Sequence, residues 1–273
     1  MDGAEIQVLG PLALACAQQL ALTVPPKPRK VLALLAMNVG RVVPTTSLLR
    51  ELWDDSQPRT SMTTLQTYVG QIRRTLATAL HIGLPAVTDE VLRTEDGGYC
   101  LTSAVAVDYQ RYTRLDQQGK AAVRAGDDRR GMELLRQALA VWRGPALVNV
   151  AAGPLLRAQV VLLEERWLCT VEHRIVAELR LGEHYSLVSE LKELTSQHPL
   201  HEGLHGHLML ALHRCERRSE ALAVFRTLRS RLVAELGLEP GPELAKLERA
   251  ILNGDPALDL VDGRKSLSRL RAS

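Results

Sequence analysis

The sequence predicts a mainly α chain with small β elements, built as an N-terminal winged helix-turn-helix followed by an all-α array of tetratricopeptide-like helical repeats. Three observations predict it. Within residues 1–105, short apolar runs flank three helical patterns. From Asp108 to Ala257 the pattern becomes almost purely helical. That second part also repeats itself: Gly182, Leu187, Leu191, Leu194 and Pro199 align with Glu216, Ala221, Phe225, Leu228 and Val233, each pair 34 residues apart.

The chain opens with IQVLGPLAL and LALTV, which read as small antiparallel strands with a turn between them. Pro25, Pro26 and Pro28 then set up a helix over Lys27–Asn38, carrying Val31, Leu32, Leu34 and Leu35 and ended by Gly40. Thr45 or Thr46 is expected to cap a second helix, Thr45–Trp53, whose apolar face is Leu48, Leu49, Leu52 and Trp53. After a break containing Pro58 comes a long third helix, Thr60–Ala79, broken by Gly83 and Pro85. Two strand-like runs around EVLRT and YCLTS close the first part, joined by the turn Glu95-Asp96-Gly97-Gly98. In the second part, Gly126, Gly131, Leu135 and Ala138 reproduce the repeat's internal offsets and give a third copy. Such hairpin arrays offer a concave surface to other proteins. Residues 258–273 carry little periodicity and are expected to form a mobile tail.

The third helix is the most informative stretch. Leu65, Val69, Ile72 and Leu76 make one apolar stripe at helical spacing. The opposite side carries Thr63, Thr67, Gln71, Arg74 and Thr78 and almost no carboxylate. Hydroxyls, amides and guanidinium groups reach base edges or phosphates, whereas a carboxylate is repelled by the backbone. Net charge is only +3, but the signs segregate. Between Pro25 and Ala79, Lys27, Arg29, Lys30, Arg41, Arg50, Arg59, Arg73 and Arg74 face only Glu51, Asp54 and Asp55. An ordinary surface helix would also have a polar face, and a protein-interaction scaffold with a vestigial winged domain is the rival reading. A scaffold has no reason to keep this face free of carboxylates.

Composition narrows the function classes. Hydrophobic content of 46% and charge of 24% fit a soluble globular chain, with a core that is aliphatic because aromatics are only 3%. No run approaches a membrane span and the opening MDGAEIQ is no signal peptide, so a cytoplasmic, nucleoid-associated protein is expected. Cys16, Cys100, Cys169 and Cys215 lie far apart and read as separate buried thiols. His201-Glu202-Gly203-Leu204-His205 is a literal H-E-x-x-H zinc motif. However, Pro199 puts His201 in a first helical turn, no third ligand follows at the usual spacing, and the motif sits inside the repeats. Trp142-Arg143-Gly144-Pro145 is expected to end a helix and pack Trp142 under the next one. Arg214–Arg218 is expected to solvate a turn. No catalytic site, metal or cofactor is predicted.

In order along the chain, GPLAL, PPKPRKVLALLAMN, GRVVPTTSLLRELW, TLQTYVGQIRRTL and GGYCL resemble the OmpR-type winged helix of the Streptomyces antibiotic regulatory protein family. VDYQRYTRL, GDDRRGMELLRQALAVWRGPAL, VLLEERWLCTVEHRI and the repeat segments through ILNGDPAL resemble that family's bacterial transcriptional activation domain. The resemblance covers about residues 5–258 and sets expected domains at 1–105 and 106–257. It implies a DNA-binding activator of a secondary-metabolite gene cluster, paired as a homodimer on direct repeats in double-stranded DNA, that recruits RNA polymerase holoenzyme with its sigma factor. Larger members add a nucleotide-binding module, but no G-x-x-x-x-G-K-[ST] loop occurs here. The resemblance also implies that Thr67 and Gln71 reach base edges, that Thr63, Tyr68 and Arg73 grip phosphates, and that Arg74 does either. Two departures stand out: Gly70 replaces a commonly basic residue, and the wing tip is Glu95-Asp96, leaving Arg93 as its basic residue.

Overall fold

A computed structural model describes residues 4–259 apart from 17–18, 21–23 and 55. The expected tail therefore lies almost wholly outside the described residues, as does the middle of LALTV. The chain divides into two compact units, Met1–Lys120 with Glu133–Val171, and Ala121–Met132 with Glu172–Ser273. This division does not follow the sequence boundary at 105/106.

In the first unit, β1 (Glu5–Gln7) pairs antiparallel with β2 (Ala13–Cys16), in register Ile6↔Leu14, and β2 pairs with β3 (Gln19–Leu20). Three helices follow: α1 (Pro26–Met37), α2 (Thr45–Trp53) and α3 (Ser61–Leu80). Between α1 and α2 runs β4 (Val42–Pro44). After α3 comes a short turn of helix, α4 (Leu84–Ala86), which continues as a π-turn, Val87–Val91. The wing is β5 (Leu92–Glu95) and β6 (Gly98–Leu101), and β4 completes its sheet in the order β4-β6-β5. Last, β7 (Ala106–Val107) lies parallel to β1.

α1 forms the centre of this unit because its apolar residues face more than one neighbour: Val31, Leu32, Leu34 and Leu35 are all buried. The stripe Leu65, Val69, Ile72 and Leu76 of α3 is buried against it. Each such side chain stabilises by about 1.5–3 kcal/mol, which fixes the face that α3 turns outward. The expected threonine cap of α2 is absent. Pro44 occupies the cap position, and the Thr45 N–H and Oγ1 instead donate to Gly97 O in the wing turn. That turn is the expected two-residue hairpin, with Gly97 at φ +79°. Gly98 must lack a side chain because a Cβ there would collide with Val43 O of β4.

The helices after β7 begin with α5 (Asp108–Arg124), α6 (Asp128–Leu139) and α7 (Pro154–Arg180). Their contribution to the first unit is tied by two buried carboxylates. Asp108, only 1% exposed, accepts the N–H groups of Val8 (2.8 Å) and Leu9 (3.1 Å). Burial pushes its pKa up, and the two backbone donors pull it back. Glu51 of α2, also 1% exposed, accepts from Gly153, Leu155 (2.9 Å) and Leu156 (3.1 Å), the open N–H groups at the start of α7. Trp142 packs edge-on between Tyr112 and Trp167 of α7, as its position after a helix end predicts.

In the second unit, α8 (His184–Gln197), α9 (Glu202–Arg214), α10 (Arg218–Leu236) and α11 (Pro242–Asn253) form consecutive helical hairpins. The 34-residue period has a backbone origin. Gly182 and Glu216 both stand at positive φ, +83° and +62°, two residues ahead of α8 and α10. Gly126, at +86°, stands two residues ahead of α6. The aligned apolar positions Leu187, Leu191, Leu194, Ala221 and Leu228 are buried. The last pair fails: α8 stops before Pro199, whereas α10 runs on to Leu236 and leaves Val233 46% exposed. A partly buried ionic cluster joins Arg174 to Glu178 (2.9 Å) and Glu190 (2.5 Å).

Candidate nucleic-acid interface

The buried stripe of α3 leaves a strip of the helix in solvent. Thr63, Thr67, Arg74 and Thr78 are exposed along it, together with Met62 and Gln66. The apolar spacing alone did not single out Met62 and Gln66. The signal was present, since Gln66 stands one turn before Gly70 and two before Arg74. No acidic residue lies in the first turn of α3, so the positive end of its dipole is open to an anion. Thr67 Oγ1 donates to Thr63 O (3.0 Å), and Thr64, Thr75 and Thr78 likewise donate to the carbonyl four residues back. These hydroxyls therefore present their acceptor lone pairs and methyl groups outward. Gln71 is half-buried at the strip's edge, and its Oε1 is enclosed with no hydrogen-bond partner among the described residues.

Tyr68 lies half-buried and stacked on Trp53 (ring centroids 6.4 Å apart), and Lys27 Nζ sits 5.5 Å from the same indole. These contacts join the ends of α1, α2 and the first half of α3 on one side of the unit.

Arg73, for which the resemblance implies a phosphate contact, already has hydrogen-bond partners within the chain. Its Nε and Nη2 donate to Leu92 O (3.0 and 2.8 Å), and Nη2 also donates to Thr94 Oγ1 (2.8 Å). The guanidinium is thus turned onto the first wing strand, where burial lowers its pKa. Arg74, one residue on, is exposed, with Nε near its own helix at Gly70 O (3.3 Å). On the wing, Arg93 pairs with Glu95 (3.1 Å), whose carboxylate offsets its charge. The structure therefore brings Thr63, Thr67 and Arg74 onto one exposed strip with Gln71 at its edge. Tyr68, stacked on Trp53, and Arg73, bonded to the wing strand, lie beside that strip, and Arg93 lies on the wing.

The rival motifs are accounted for locally in the second unit. His201 is the N-cap of α9, its Nδ1 accepting from Leu204 N–H (3.3 Å). His205 Nδ1 lies 3.1 Å from His201 O, and Glu202 accepts from Gly241 N–H (2.7 Å). Among the described residues, no group of three or more His, Cys, Asp or Glu gathers as a metal site. Arg214 does more than solvate a turn: it donates to Leu179 O (2.6 Å) and Leu258 O (2.9 Å). Cys100 is buried as expected, whereas Cys169 and Cys215 are only half-buried. No helix among the described residues is long and apolar enough to cross a membrane.

Comparison with known proteins agrees with this architecture. Residues 18–101 match the family described as transcriptional regulatory protein, C terminal, and residues 107–252 match the bacterial transcriptional activator domain. The chain is 43% identical to the regulatory protein DnrI of Streptomyces peucetius, over 93% of this chain and 94% of that one. It is 35% identical to the transcriptional regulator RedD of Streptomyces coelicolor, over 93% of this chain and 72% of RedD. Against the regulatory protein AfsR of Streptomyces griseus, at 34% identity, it spans 25% of the longer protein. Mycobacterium tuberculosis EmbR, solved in complex with a low affinity phosphopeptide, superposes with a TM-score of 0.87 at 30% identity, over 94% of this chain and 66% of that one. With both domain families in the same order and a relative matched almost end to end, this chain belongs to the Streptomyces antibiotic regulatory protein family of transcriptional activators.

Proposed function

We propose that this activator reads double-stranded DNA through α3 and acts from a direct repeat next to a promoter of a secondary-metabolite cluster, where it recruits RNA polymerase holoenzyme. One observation carries the reading: a helix buried on one side by four aliphatic residues presents Thr63, Gln66, Thr67 and Arg74 on the other, with no carboxylate among them. In this reading Thr67 and Gln71 meet base edges in the major groove, and Thr63 and Arg74 meet phosphates. The unpartnered Gln71 Oε1 supports its part, because an enclosed unmet acceptor costs about 1–3 kcal/mol and turning out to a base removes that cost. Tyr68 contributes by stacking on Trp53, and Arg93 by reaching a phosphate once it leaves Glu95.

Arg73 is a positioning residue, holding β5 against α3 so that the wing has one orientation. One reading helix covers too few base pairs for strong specificity, so two chains bind repeats on one face of the duplex. The segment 106–257 supplies the activating surface, because its periodic positions are used in helix packing rather than in base contacts.

Selection of bound sequences from a random DNA pool tests this. Gln71→Ala should relax discrimination at one or two base pairs, by about 1–3 kcal/mol. Arg73→Ala should weaken binding to all sequences and disorder the wing by NMR or hydrogen exchange, while Arg73→Lys, lacking the fork, should rescue it only in part. An unchanged preferred sequence for Gln71→Ala would refute the docking. Inserting about half a helical turn between the repeats should abolish cooperative binding.

A further inference from the structure

The second unit holds a groove over α9, walled by α8 and α10, with a volume of about 370 Å3. Leu208, Leu212 and Val224 make an apolar floor. At the rims α8 presents Lys192 and Ser196, and α10 presents Thr227 and Arg231, each pair one helical turn apart and all four exposed. Among the described residues, the side chains of Ser196, Thr227 and Arg231 make no hydrogen bond or ion pair. The one carboxylate in the groove, Glu220, is already committed: Arg217 grips it at 2.7 Å and Lys192 stands 3.4 Å away. His205 lies beneath in the floor, and burial, with Arg231 close by, lowers its pKa. The groove is therefore apolar below and cationic on two opposing rims.

We infer that this groove binds an acidic, leucine-bearing segment of a protein partner, with carboxylates on Lys192 and Arg231 and an aliphatic side chain on Leu208, Leu212 and Val224. Charge complementarity selects the sign, and the floor selects the class. A DNA duplex is too wide to enter and has nothing to offer an apolar floor. The inference rests on the reading that the repeats carry the activating surface, and it names the chemistry that surface would recognise.

Fluorescence anisotropy with the full chain tests it, using a labelled peptide of alternating Asp-Leu and Glu-Leu pairs. The peptide should bind, and replacing its leucines by serine should weaken binding about tenfold. The double variant Lys192→Glu/Arg231→Glu should lose at least about tenfold, while Arg226→Glu, outside the groove, should not. A charge-swapped Lys-Leu peptide should bind the double variant, showing that it is still folded. No binding to the native chain, equal binding to the double variant, or indifference to leucine would each overturn the groove assignment. Gel shifts with the same variants separate the two levels. Retained DNA binding with lost transcription from purified holoenzyme supports the groove as the recruiting surface. Retained DNA binding and transcription alongside lost peptide binding overturns it as that surface but leaves the DNA-reading proposal standing.

Discussion

Replacing Glu51 with alanine should loosen the first unit markedly. The carboxylate is 1% exposed and accepts the N–H groups of Gly153, Leu155 and Leu156 at the start of α7. Hydrogen bonds to a charged group contribute about 1.5–3 kcal/mol each, but three on one carboxylate are not additive. Alanine would leave three donors at a helix N-terminus with no acceptor and a small void in place of the carboxylate. A loss of about 3–5 kcal/mol follows, comparable to breaking a buried ion pair. Against a total stability of about 5–15 kcal/mol this is a large fraction, and for a unit of this size it lowers Tm by roughly 6–20 °C.

Circular dichroism melting of the full chain, alongside Arg50→Ala on the exposed side of α2, measures the effect. Arg50→Ala should stay within about 0.5 kcal/mol of the native chain. Glu51→Gln, which keeps one acceptor oxygen, should fall between the two. Melting of Glu51→Ala within about 2 °C of the native chain would refute the reasoning, because the start of α7 would then be held by something else. The same contacts bear on the minimal reading fragment. A piece covering 1–105 keeps Glu51 but removes all three of its donors, and it also removes Asp108 from Val8 and Leu9. It should fold poorly, whereas 1–171, which contains the whole first unit, should fold and keep its sequence preference.

Gly70→Arg should gain twice over: its Cβ would meet nothing within 4 Å, so α3 gains about 0.5–1 kcal/mol. A new phosphate contact would steepen the dependence of log affinity on log salt by about 0.9, and an unchanged slope would place residue 70 away from the backbone. Glu216→Gly should stabilise the second unit by about 0.5–1 kcal/mol in urea unfolding, because Glu216 holds φ +62° where the aligned residues 126 and 182 are glycine. Burial in the crevice with Gly206, Leu210 and Leu244 pulls the pKa of His207 from 6.5 down to about 4. The unfolded chain therefore binds the proton first. Stability is full above pH 6.5 and falls by roughly 2–3 kcal/mol as pH drops to 4, and His207→Leu should flatten Tm over that range.

The main helices, the wing hairpin and the face each helix buries were legible along the chain. Thr45–Trp53 has the same limits in the structure, α3 is displaced by a single residue, and the Asp-Gly turn forms where its chemistry requires. The reason is local: a 3.6-residue period decides which residues share a stripe, and a positive φ suits glycine whatever surrounds it. The 34-residue period was legible for the same reason, since it recurs at left-handed turns ahead of equivalent helices. The exposed strip with Thr63, Thr67 and Arg74 followed directly, as the complement of the buried one. Which partners the polar groups take was not legible there, because packing sets it. Glu51 looked like one of a few surface acids, yet it caps a helix whose donors stand more than a hundred residues away. Arg73 and Arg74 are neighbours of identical chemistry, but the turn of the helix sends one to Leu92 O and leaves the other in solvent. Thr45 has the form of a helix cap and bonds to the wing instead. Such pairings have no period along the chain: a hydrogen bond is set by where two atoms arrive in space, and only the packed aliphatic core brings them there.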